Sequence, residues 1–139
     1  MSQDSKYLVF QSNFRPVYRR SGISDYYLYS VEDGSLNLLV EDARTAELSP
    51  DGSKIGYERD GDLFVYDLDA RKETQLTDSA KEYFYNGRFG WVYEEEFGLA
   101  QAWEWSPDSE KIAYWQTDER HVNIFQMTDY SGQHPEYKK

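Results

Sequence analysis

Three consecutive carboxylates, Glu94, Glu95 and Glu96, stand between Trp91-Val92-Tyr93 and Phe97, and a second aromatic and acidic string, Trp103-Glu104-Trp105-Ser106-Pro107-Asp108, follows shortly after. Like charges at adjacent positions repel one another. Flanking rings that favour burial raise the cost of keeping those charges ionised unless a cation or hydrogen-bond donors offset it. The chemistry that suits such a triplet is the grip of a cation. The alternative is a solvated acidic turn at the start of a helix, where the helix dipole favours Glu. Charge alone leaves both readings open, so the elements that carry the triplet have to be read next.

The 139 residues give room for one domain with a core, and 17% of them are aromatic, Tyr alone supplying 13. These aromatics lie with Val, Ile, Leu and Thr in short runs, which predicts strands rather than helices. The formal net charge of −11 argues against nucleic acid or an anionic lipid surface, both of which are bound through clustered Lys and Arg. A cationic or amine-bearing ligand suits it better. With no cysteine, disulfides, thiolate catalysis and Cys-based zinc sites are excluded, while the compartment stays open. No apolar run of about 18 residues occurs, and Met1 to Lys6 carries no hydrophobic signal core, so this segment shows neither a membrane span nor an export signal. His121 and His134 have no motif around them and read as surface or hydrogen-bonding residues. Asp60-Gly61-Asp62 reads as a hairpin turn, because the other ligands of a calcium loop are missing. No metal or cofactor is expected.

Two segments repeat each other without a gap: Leu48-Ser49-Pro50-Asp51-Gly52-Ser53-Lys54-Ile55-Gly56-Tyr57 and Trp105-Ser106-Pro107-Asp108-Ser109-Glu110-Lys111-Ile112-Ala113-Tyr114. In each, Ser-Pro-Asp supplies a turn, because Pro fixes φ and Asp can bond its own backbone, and a short apolar strand follows. A second repeat relates Tyr26–Val31 to Leu63–Leu68, each followed by a polar turn and another strand, Leu36 to Val40 and Glu73 to Leu76. Recurring units of about four short antiparallel strands, none able to bury its faces alone, are the signature of β-propeller blades. The predicted fold class is therefore all-β, with antiparallel four-stranded blades.

Residues 7–42 read as the later strands of one blade, with an enlarged loop from Ser12 to Ser24. Residues 43–80 make a nearly complete blade, 81–100 an insertion, and 101–130 the start of the next blade. About two and a half blades cannot close a ring, so residues 1–139 are expected to be a fragment of one propeller domain. The insertion interrupts the rhythm where a short connection is expected, and such insertions often carry function. Trp91 to Leu99 is predicted to form two short helical turns, with the three glutamates fanning into a common space.

These residues resemble the N-terminal propeller domain of the dipeptidyl peptidase IV family, in the prolyl oligopeptidase class of serine peptidases. The resemblance rests on the Ser-Pro-Asp turns, on Trp91-Val92-Tyr93-Glu94-Glu95-Glu96-Phe97, and on Asp118-Glu119-Arg120-His121-Val122 leading to Tyr130 and Pro135-Glu136-Tyr137. It implies that Glu95 and Glu96 bind the free α-amino group of a peptide substrate, whose ammonium offers three donors and relieves their mutual repulsion. Glu94 then reads as a structural or helix-starting residue. Anchoring the terminus at a fixed distance from a nucleophile would measure out two residues before the cut.

The resemblance also places Arg19, within Tyr18-Arg19-Arg20-Ser21, at the position of an arginine that contacts a substrate carbonyl or carboxyl oxygen. Arg20 replaces a residue that is often His, Gly90 stands where Asp is common, and Asn123 where Pro is frequent. No Gly-x-Ser-x-Gly elbow or Ser, Asp and His set occurs in an α/β-hydrolase context. The implied catalytic partner is therefore an α/β-hydrolase domain of the parent chain, which would release Xaa-Pro or Xaa-Ala dipeptides. The alternative function is a non-catalytic propeller module that holds a partner's lysine or amino terminus; a small independent enzyme using Glu95 and Glu96 as acid and base is the weakest reading, since no nucleophile, metal or second chemical group supports it. Open blade edges predict self-association.

Overall fold

The structure is a computed structural model that describes residues 6–132, 134 and 136–138, with Tyr137 and Lys138 described by their backbone only. Met1 to Ser5 and Pro135 of the tail motif lie outside the described residues. Strands β1 (Tyr7–Pro16), β2 (Gly22–Ser30) and β3 (Leu36–Ala43) form one antiparallel sheet in that order. Strands β4 (Thr45–Leu48), β5 (Lys54–Arg59), β6 (Asp62–Asp67) and β7 (Lys72–Gln75) form a four-stranded antiparallel meander. After β8 (Phe84–Asn86) comes the single described helix, α1 (Trp91–Phe97), and then β9 (Trp103–Trp105) pairs with β10 (Ile112–Tyr114). Strand β11 (Gln116–Asp118) returns to pair with β8, so the insertion is tied into the sheets on both sides of α1. Strands β12 (Met127–Asp129) and β13 (Glu136–Lys138) form a last pair.

The two Ser-Pro-Asp segments build the same turn. In one, Ser49 Oγ donates to Asp51 and accepts the Lys54 amide at 2.9 Å, and in the other Ser106 Oγ donates to Asp108 and accepts the Lys111 amide at 2.9 Å. The turns also touch, because the Asp51 amide donates to Ser109 Oγ at 3.0 Å. Between β5 and β6, Asp60 and Gly61 both have positive φ, 55° and 88°, as a two-residue hairpin turn requires.

The sheets stack face to face. Tyr26, Val40 and Ala43 of the first pack against Ile55, Tyr57, Phe64 and Leu68 of the meander, with Tyr57 and Phe64 stacked at 5.6 Å. On the meander's opposite face the fully buried Trp103 lies over Gly56, where a Cβ would come within 2.9 Å of the indole, and its Nε1 donates to Thr45 Oγ1. A bare backbone at Gly56 is what lets the next sheet approach so closely.

The hairpin of β1 and β2 departs from expectation. Instead of an enlarged loop from Ser12 to Ser24, the strands run on to Pro16 and from Gly22, leaving only 17–21 as the connection. The cause is polar pairing along the shaft: Gln11 to Ser24, Asn13 to Asp25, and Arg15 to Asp25 and Asp42. A register shift between Ser12 and Arg15, with Asn13 at φ 53°, marks a bulge in the extended arm.

Candidate functional site

Helix α1 follows from local sequence. Gly90 precedes it in extended conformation, and Gly98, at φ 70°, ends it with its amide donating to Glu94 O while the Leu99 amide donates to Tyr93 O. That paired return of amides is the common glycine ending of a helix. Phe89 stacks on Tyr93 at 4.8 Å and leans on Trp115, fixing the helix to the strands beneath it. A Cβ at Gly90 would collide with the Glu119 carboxylate, so Glu119 fills the space beside the helix start.

The three glutamates do not share one space. Glu94 is 2% exposed and turns inward, where its Oε1 accepts the amides of Arg20 at 2.5 Å and Ser21 at 2.9 Å. Steps of about 100° along a helix send neighbours to different sides, and the two amides of the hairpin connection claim the first carboxylate. Burial works against its ionised form. The Ser21 side chain, the two amides and the nearby Arg44 guanidinium outweigh that effect, and the Glu94 carboxyl is held below its ordinary value. Glu95 is half-buried and lies 3.5 Å from Arg19 Nη1. Glu96 is exposed, and no described side chain pairs with it.

The structure thus brings Arg19 and Glu95 together through contact between the hairpin connection and the helix, and sets Glu96 one position further along the same helix. The Arg19 side chain is 74% exposed. Between the connection and the helix start lies a cavity of about 250 Å3 whose walls include Tyr18, Arg44, Tyr85 and Arg88. Arg88 stacks over Tyr85 at 3.6 Å and reaches Glu58 at 4.0 Å, while Arg44 donates to Ser21 Oγ at 3.3 Å. Burial, and then the like charge of Arg88, lowers the Arg44 pKa.

Sequence reasoning missed Arg44, Arg88 and Glu58. The available signal was Glu58 itself, a charge directly after the run Ile55-Gly56-Tyr57 in a strand whose residues 55–58 are all buried. His121 and His134 are exposed. Among the described residues no group of three or more His, Asp or Glu side chains is arranged to hold a metal ion, and no helix is long and apolar enough to cross a membrane.

A family described as the dipeptidyl peptidase IV (DPP IV) N-terminal region matches residues 2–139. The chain is 32% identical over 134 residues to dipeptidyl peptidase 4 of Trichophyton equinum, covering 93% of this chain and 17% of that protein. It is 29% identical over 131 residues to dipeptidyl aminopeptidase B of Saccharomyces cerevisiae, covering 93% and 16%. Its structure superposes on the crystal structure of Porphyromonas gingivalis dipeptidyl peptidase 4 with a TM-score of 0.88 and 27% identity, covering 99% of this chain and 20% of that one. The chain spans about a sixth of the length of the curated relatives it matches.

Proposed function

This chain belongs to the family of dipeptidyl peptidase IV N-terminal regions, with the open antiparallel sheets of a partial β-propeller, and from that premise we propose that it recognises the free amino terminus of a peptide. In this reading Glu95 and Glu96 receive the α-ammonium, and Arg19 is freed from Glu95 to meet a carbonyl or carboxyl oxygen of the same peptide. The observation that supports it most is the pairing of Arg19 with Glu95 beside an unpaired Glu96. An arriving ammonium supplies three donors to two carboxylates, and the exchange of one exposed cation for another costs little.

Glu94 is left out of the amine site, because both of its hairpin contacts are already made. Hydrolysis and the release of Xaa-Pro or Xaa-Ala dipeptides would draw on an α/β-hydrolase domain of a longer parent chain. Within that chain the pair of glutamates would fix the distance from amino terminus to scissile bond.

Calorimetric titration of the 139-residue chain with a short Xaa-Pro peptide, free or N-acetylated, tests the reading. The free peptide is expected to bind at least about tenfold more tightly, since acetylation removes the charge and two donors, and E95Q and E96Q are each expected to narrow that ratio. Equal affinity for both peptides would sink the proposal.

A further inference from the structure

The β1–β2 connection is fastened at one residue from two directions. Ser21, 7% exposed, gives its amide to Glu94 of α1, and its hydroxyl accepts from Arg44, which sits in the link between β3 and β4. The adjacent Arg20 amide goes to the same Glu94 oxygen. Within the connection the Val17 and Tyr18 amides bond back, both to the Ser21 carbonyl, so the short connection has few internal hydrogen bonds to hold its shape. Arg19, immediately before the fastened pair, has a side chain 74% exposed and pairs with Glu95 of α1 at 3.5 Å. Its position is therefore set by what the following two residues, Arg20 and Ser21, bond to.

We propose that Glu94 and Arg44 are positioning residues for amine recognition: Glu94 holds the Arg20 and Ser21 amides to helix α1, Arg44 holds the Ser21 hydroxyl, and together they set Arg19 against Glu95. This rests on the amine-recognition reading above. The physical case is the cost of the alternative. A buried carboxylate is retained only where donors replace its water, and here the donors are main-chain amides of another element, so the ionised side chain fixes one element on the other. Without it two amides lose their acceptor and the connection is free to move, carrying Arg19 away from the glutamates. An acceptor oxygen is what the two amides need, and Gln provides one.

Amide hydrogen exchange measured by NMR on the 139-residue chain, alongside peptide titration, tests the proposal with E94A and E94Q. In E94A, exchange at Arg20 and Ser21 should quicken by about tenfold or more, and the free peptide should bind about tenfold more weakly. In E94Q both quantities should stay within about threefold of the unaltered chain, because the amide oxygen still accepts. Unchanged exchange in E94A overturns the fastening, and fast exchange with unchanged peptide affinity overturns its role in recognition. E94Q behaving as E94A does also overturns it, since charge rather than hydrogen-bond acceptance would then be what matters. Should E94A fail to fold, R44M decides: quicker exchange at Ser21 with weaker peptide binding is expected, and no change in either counts against the proposal. If the unaltered chain itself does not distinguish free from acetylated peptide, the amine reading fails, and the exchange rates alone still show whether Glu94 holds the connection.

Discussion

Glu58 and Glu94 are buried to nearly the same degree, 0% and 2% exposed, and the protein treats them in opposite ways. Glu58 lies in β5, at the heart of the meander, with one amide donor, that of Gly61 at 2.5 Å, and a single cation at 4.0 Å, while its Oε2 has no partner. Burial dominates there and pushes its pKa up. Glu94 sits at a junction between elements, where two amides, a hydroxyl and Arg44 converge, and its pKa goes down. The balance between burial and donors sets the direction of each shift, burial winning at Glu58 and the donors at Glu94. A junction has spare amides because a turn leaves them unpaired, whereas the interior of a meander has already used its amides in the ladder.

The hardest way to break this comparison is to remove the cation that pairs with Glu58, Arg88, leaving Arg44 as a more distant charge. Arg88→Met keeps an apolar stem over Tyr85 and leaves Glu58 without a cation within 4 Å among the described residues. Breaking a buried pair costs about 3–5 kcal/mol, and solvent reaching Arg88, 23% exposed, reduces that to about 2 kcal/mol. Urea unfolding at pH 7 should show this loss, and the double variant E58Q/R88M should recover most of it. The folded pKa of Glu58 lies above its unfolded one, so its charge opposes folding at neutral pH and the loss in R88M should shrink as the pH falls and the proton returns. An equal loss in single and double variants would mean that Arg88 acts by packing.

Acid sharpens the same contrast with a smaller effect. Glu94, depressed below its ordinary 4.5, contributes stability that is full above about pH 4.5 and is lost as the pH falls through its lower folded value. Glu58 moves the other way. A carbon-detected titration of the two carboxyl groups should give Glu58 a midpoint above 4.5 and Glu94 one below it. The reverse order would show that the hydrogen bonds at the junction do not hold in solution.

The difference between the two sites also explains what could be read from the chain. The turns at Ser49 and Ser106 and the hairpin at Asp60-Gly61 are local chemistry, complete within six residues, and their strands follow from them. The sheet pattern was legible for the same reason. The extended β1–β2 arm was not, since it depends on Arg15 reaching Asp42 some 27 positions away. Glu95, Glu96 and Arg19 were legible only as a motif. That Glu94 would face Arg20, 74 positions apart in sequence, has no periodic trace, and neither has the approach of Arg88 to Glu58. Contacts between the ends of separate hairpins are set by how sheets stack, which residue spacing along one strand does not encode.

The smallest expected effect bears most directly on function. Arg19 and Glu95 are 3.5 Å apart, with the arginine side chain 74% exposed. A pair of that kind, screened by salt and costly in side-chain entropy, adds little to stability, so R19A should change the unfolding free energy by less than about 0.5 kcal/mol. The contrast with Glu94 then becomes a division of labour along three consecutive residues: the first carboxylate is spent on holding two elements together, while the second keeps a partner that solvent or a ligand can displace at little cost. A loss above about 1 kcal/mol in R19A would erase that division. Arg19 would then be part of the fastening, and its release to a peptide would unsettle the very junction that positions Glu95 and Glu96.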